Sequence, residues 1–123
     1  MKDKMLKNVP FEEVVDLKSL IAYSDHNVSS KTLVQRKDMS MTLLSFDKGE
    51  GLSTHAAAGD AMVIALEGSV KLIIGETEVI VKEGESAVMP ANIPHSVDAL
   101  EKFKMLLIVI KPEIKPVQLM KGL

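Results

Sequence analysis

From Gly49 onward a turn signal recurs roughly every 7–10 residues, a rhythm that leaves room only for short strands. The signals fall at Gly49/Gly51, Gly59-Asp60, Glu67-Gly68, Gly75-Glu76, Gly84, Pro90–Pro94 and Leu100–Lys102. Runs rich in Val, Ile, Leu and Met lie between them, the pattern of an all-β sandwich or barrel. Ser69–Ile74 places Val70, Leu72 and Ile74 on one face, because side chains alternate along a strand. Thr77–Val81 follows the tight Gly75-Glu76 turn and completes a hairpin. Ser86–Met89, His95–Ala99 and Phe103–Ile110 continue the series, and Pro112 ends it because proline has no N–H to give a ladder. Ahead of Gly49, Lys31–Gln35 and Met39–Phe46 read as two further strands. Val14, Leu17 and Ile21 have helical spacing, so Glu12–Tyr23 reads as a short helix or turn, and Tyr23–Ser30 as a polar loop.

The chain has 123 residues, 46% of them hydrophobic and 26% charged, enough for one ordinary core. No repeat or linker divides it. The expected organisation is a single domain with its barrel at about 39–112, an extension at 1–38 and a tail at 113–123. The apolar runs Ala61–Leu66 and Met105–Ile110 are far too short to span a bilayer. The net charge of −2, the absence of Trp and the single Tyr argue against a nucleic-acid partner, which calls for positive surface and stacking aromatics. There is no cysteine, so disulfides and thiolate chemistry are excluded. With a charged beginning that lacks a signal-peptide core, this favours a cytoplasmic protein without a membrane partner. Phe11, Val14, Val15 and Leu17 near one end, and Ile114, Val117, Leu119 and Met120 near the other, need burial. A homodimer would supply it.

Common catalytic signatures are missing. There is no P-loop, no dinucleotide-binding glycine pattern, no His-Glu-x-x-His and no Gly-x-Ser-x-Gly elbow. The acidic residues Glu12-Glu13 and Glu83/Glu85 read as exposed faces and turns. Three histidines remain. His26 lies in the polar loop and reads as solvated. His55 and His95 each sit beside a turn at the margin of an apolar strand, and alternation puts His95 on one face with Ile93 and Val97.

The spacing of these residues resembles the cupin superfamily, whose two motifs lie on a jelly-roll barrel. The first motif runs glycine, five residues, His-x-His, three or four residues, glutamate, six residues, glycine. Here Gly49, His55 and Gly68 match, while Ala57 stands at the second histidine and Ala61 at the glutamate. The second runs glycine, five residues, Pro-x-Gly, two residues, His, three residues, Asn. Here Gly84, Pro90 and His95 match, while Asn92 replaces the glycine and Ala99 the asparagine. The stretch from Gly51 to Ala61 is also similar to a group of small, metal-poor cupins of unassigned function, in which Ala is usual at the second ligand position. The motif glycines Gly49, Gly68 and Gly84 fall at strand ends, where a positive φ is often required.

The resemblance implies an antiparallel jelly-roll β-barrel (cupin, RmlC-like), with His55 and His95 converging inside it. Several readings of that site follow. Imidazole suits a divalent metal such as Zn, Fe, Mn or Ni, but only two ligands are evident. Asp60 is the nearest further carboxylate. It lies one residue from the motif position and would need a bulge or loop conformation to face inward. The plainer reading is a pair of histidines that hydrogen-bond each other, water or backbone. Ala57 and Ala61 would leave a small apolar pocket with two polar points, a form suited to a small-molecule ligand. Against that, methionines are good gap fillers, and Met41, Met62 and Met89, with Met105, lie in expected strands. Two functions stand side by side: a small-molecule or weak-metal binder around His55, His95, Ala57, Ala61, Met41, Met62 and Met89, and a metal-dependent enzyme (dioxygenase, isomerase or epimerase, or decarboxylase) acting on a small organic acid or sugar.

Overall fold

The computed structural model describes residues 4–112. Nine strands follow one 3-10 turn at Leu17–Leu20: β1 Val28–Gln35, β2 Met39–Phe46, β3 Gly51–His55, β4 Asp60–Glu67, β5 Ser69–Ile74, β6 Thr77–Lys82, β7 Ser86–Met89, β8 His95–Ala99 and β9 Phe103–Ile110. They form a five-stranded sheet in the order β1-β2-β9-β4-β7 and a four-stranded sheet in the order β3-β8-β5-β6. Every pairing is antiparallel. The chain crosses repeatedly between the sheets, and this gives the jelly-roll barrel.

Alternation decides what each strand buries. Val70 and Leu72 of β5 are fully buried between the sheets, with Ile74 packed against the same core. Facing them from the other sheet are Leu44, Phe46, Ala61, Val63, Ala65, Phe103 and Met105. Phe46 and Phe103 are register partners with ring centroids 5.7 Å apart. A second core lies on the outer face of the five-stranded sheet, where Leu33, Leu43 and Leu106 bury Ile21, and Val9, Leu17 and Leu20 pack beside them. The extension therefore contributes a strand and a lid for that face. The Lys31 ammonium donates to the Leu20 carbonyl, and that of Lys104 to the Lys18 carbonyl at 2.7 Å. These are cations at the carbonyl end of a helical turn, as the backbone dipoles favour.

The expected helix or turn is thus a single 3-10 turn. β1 begins at Val28, inside the stretch expected to be loop, because Val28 and Ser29 pair with Phe46 and Ser45. Ile93 departs from the expected face. It lies in the loop ahead of β8 and is exposed, whereas His95 and Val97 are buried. Gly49, Gly68 and Gly84 all take a positive φ. Gly68 is doubly constrained, since a Cβ there would lie 2.1 Å from the Lys102 carbonyl oxygen. The apolar tail residues Ile114, Val117, Leu119 and Met120 lie outside the described residues.

Candidate functional site

Two loops frame one end of the barrel. Residues 56–59 join β3 to β4, and residues 90–94 join β7 to β8. The Asn92 N–H donates to the Ala57 carbonyl at 2.7 Å, tying the loops together. Asn92 has φ +65, a left-handed conformation that glycine takes freely and asparagine tolerates best among the rest. Its replacement of the motif glycine therefore preserves the turn. Pro90 and Pro94 flank the same loop.

His55 and His95 meet at this end. They are direct register partners in the β3–β8 ladder, and their ring centroids lie 4.5 Å apart in an edge-on arrangement, 67° between planes. Strict alternation from Leu52, which lines the interior, would turn His55 outward. A bulge between Leu52 and His55 inserts one extra residue and re-aims the side chain, as bulges do next to sites. His95 is buried, and His55 is exposed at the mouth.

The rings are held in the same way. His55 Nδ1 lies 3.1 Å from the Ser53 carbonyl oxygen, and His95 Nδ1 lies 3.2 Å from that of Ile93. A carbonyl only accepts, so each Nδ1 carries the proton and donates. In the neutral ring Nε2 is then an unprotonated acceptor. Neither Nε2 has a hydrogen-bond partner among the described residues, and that of His95 keeps contact with solvent, since no buried side-chain nitrogen there is left without a partner. An Nδ1–H donated to backbone with a free Nε2 is the orientation used by histidines that ligate metals.

The two rings line a cavity of about 80 Å³. Its walls follow from register. Met89, Ala61 and Val109 form one row across β7, β4 and β9, at the end where β8 carries His95. Leu52, Val97 and Leu107 form the next layer, Met105 the floor, and Ala57 a side of the mouth. Ala57 and Ala61, which stand at the two missing ligand positions, make room, and Met89 and Met105 take back part of it. The remaining space equals roughly two to three water volumes. Grooves of about 500 Å³ elsewhere, one lined by Gly68, Ile80 and Leu100 and another by Lys4, Val34 and Met39, are shallow surface features with no converging imidazoles.

Three sequence-based candidates fall outside this cavity. Met41 packs into the second core on the outer face of the sheet. Met62 is exposed on that same face, necessarily so, since its neighbours Ala61 and Val63 point inward. Asp60 is exposed and accepts the Ala91 N–H at 2.8 Å. The displacement that the sequence required for it does not occur. Asp60 stiffens the mouth instead. Among the described residues no group of three His, Cys, Asp or Glu is placed to hold a metal. The bulge and the paired Nδ1 contacts had no signature in the sequence.

Comparison with known proteins agrees with this architecture. The family model described as "Cupin domain" matches residues 42–111. A Streptococcus pyogenes protein, described as a conserved protein of unknown function, is 40% identical, with 91% of this chain and 98% of that chain covered and a TM-score of 0.88. A cupin superfamily protein from Desulfitobacterium hafniense is 29% identical over 87% of this chain and 98% of its own, with a TM-score of 0.83. A cupin 2 conserved barrel domain protein from Leptotrichia buccalis is 47% identical over 79% of this chain and 47% of its own, with a TM-score of 0.76. No functionally curated protein matches the chain.

Proposed function

The chain belongs to the cupin family, and from that premise we propose that it binds a small guest between the Nε2 atoms of His55 and His95. The carrying observation is the pair of Nδ1–H···O=C contacts, which leave two acceptor nitrogens beside one small apolar cavity. Two bare acceptors select a guest that brings either a donor hydrogen or a Lewis acid. The first is a compact molecule with an O–H or N–H group. The second is a weakly held divalent metal such as Zn, Fe, Mn or Ni. The two imidazoles fit such an ion as nitrogen donors. Water or a small ligand would have to complete its shell, because Asp60 is not among the residues that line the cavity. Such a metal would act as a Lewis acid on whatever shares its shell. A metal-dependent enzyme normally keeps three protein ligands, so binding is the better supported function.

We place the protein in the cytoplasm as a homodimer. Among the described residues no helix is long and apolar enough to cross a membrane. The exposed Phe11, Val14, Met62, Val88 and Ile110 support self-association, and light scattering at micromolar concentration should give twice the chain mass.

The test of the binding reading is calorimetric titration of the native protein with Zn²⁺, with Ni²⁺ and separately with short alcohols. Modest affinity for a metal or an alcohol is expected, together with its complete loss in the double variant His55→Ala, His95→Ala. That variant should lose only about 1–2 kcal/mol of stability. Binding undiminished in the double variant, or none in the native protein, would refute the reading.

A further inference from the structure

The cavity offers more than two imidazoles. Met89 is buried and lines the same small space as His55 and His95. Its register partner is Ala61, whose small side chain leaves that row open. Met89 also stands directly before the loop that leads to His95, so one short segment carries two of the three donors. We propose that His55 Nε2, His95 Nε2 and the Met89 thioether together form a site for a soft monovalent cation, Cu(I), with Ag(I) as its redox-inert counterpart. This rests on the binding reading above and selects the metal.

Charge and softness both lead to this choice. Every donor in the site is neutral, no carboxylate is among the residues that line it, and Asp60, next to Ala61 in the chain, accepts from the Ala91 N–H. The cost of taking an ion out of water rises with the square of its charge. An all-neutral, largely apolar pocket therefore penalises a divalent ion far more than a monovalent one. Thioether sulfur is a soft ligand that favours Cu(I), whereas hard divalent ions gain little from it. A d¹⁰ monovalent ion also accepts two or three ligands without a fixed polyhedron, which suits a site short of the usual number. An open volume of about 80 Å³ holds a bare ion of this size without displacing the walls.

The experiment is an anaerobic competition titration of the full chain with Cu(I) against bicinchoninate, alongside Ni²⁺ titrations. It uses the native protein, Met89→Leu, Met41→Leu and the double His55→Ala, His95→Ala variant. Leucine keeps the volume of Met89, so folding survives. One Cu(I) per chain is expected. Met89→Leu should weaken it by about tenfold or more, in the range seen when a metal site loses one supporting group, while Ni²⁺ affinity stays unchanged. Met41→Leu, on the outer face, should behave as native. X-ray absorption should show one Cu–S contact that Met89→Leu removes. Equal Cu(I) affinity in native protein and Met89→Leu would overturn the proposal while leaving the histidine site standing. Cu(I) retained by the double histidine variant would mean that surface methionines hold it. Failure of every metal and alcohol would remove the underlying reading as well.

Discussion

The two ends of the barrel are built from the same strands but filled differently. At the end carrying Phe46, Val70 and Phe103, each of these side chains is fully buried. At the other end Ala57 and Ala61 are small, a cavity of about 80 Å³ remains, and two imidazoles keep a free nitrogen each. Close packing stabilises because every interior atom gains contacts on all sides. Binding needs the opposite: unfilled volume and polar atoms without partners. The barrel keeps these apart along its axis, so the open end gives up little of what holds the domain together.

The largest effect should come from the packed end. Phe103→Ala should cost about 3–5 kcal/mol in chemical denaturation, the range for deleting a buried ring. That is a large share of the roughly 5–15 kcal/mol available to such a domain. Guest binding measured well below the midpoint should persist. Loss of binding at full foldedness would show that the two ends are coupled.

Filling the open end gives a sharper test. Ala61→Val adds methyl groups beside the cavity. Stability should change by no more than about 1 kcal/mol, since the added volume meets space and not a packed wall, while guest affinity falls by roughly tenfold or more, as when a site loses its fit. A destabilisation as large as that of Phe103→Ala would mean that the open end is packed as tightly as the closed one.

The smallest effect concerns a polar latch beside the closed end. The Tyr23 hydroxyl donates to a Glu67 carboxylate oxygen at 2.5 Å, and the Lys102 and Lys104 ammonium groups lie about 5 Å from the ring centre. Partial burial, and then the Glu67 carboxylate, hold the phenol well above its ordinary value of 10. A raised folded-state value means that folding favours the protonated phenol. The stabilisation is therefore fully present below pH 10 and declines as pH climbs beyond it. Tyr23→Phe should lower stability by about 1 kcal/mol at neutral pH. Thermal melts between pH 9 and 12 should show a shallower decline for this variant than for the native chain. Parallel declines would place the alkaline sensitivity elsewhere.

Strand positions were legible in the amino-acid sequence because turn chemistry and period-two alternation are local. Ser69–Ile74, Ser86–Met89, His95–Ala99 and Phe103–Ile110 are strands with the bounds that the turns imply. Parity alone also puts Met62 on the face opposite Ala61, so its placement outside the cavity needed no coordinates. The early start of β1 was less legible. Val28–Ser30 is polar in composition and becomes a strand only because β2 lies alongside to pair with it.

The residue types of the site, two histidines facing two alanines at motif spacing, were likewise written in the chain. What they could reach was a tertiary matter. A bulge in β3 turned His55 inward against the alternation that its neighbours predict. Backbone carbonyls two residues back selected the tautomer of both rings. Asp60 was drawn to the Ala91 N–H instead of the cavity, and Met89 arrived beside the imidazoles through a sheet pairing with β4. Local composition determines which elements form, because hydrogen-bond patterns and turns depend on near neighbours. The volume of the cavity and the direction of each lone pair depend on how two sheets meet, and only the folded barrel decides that.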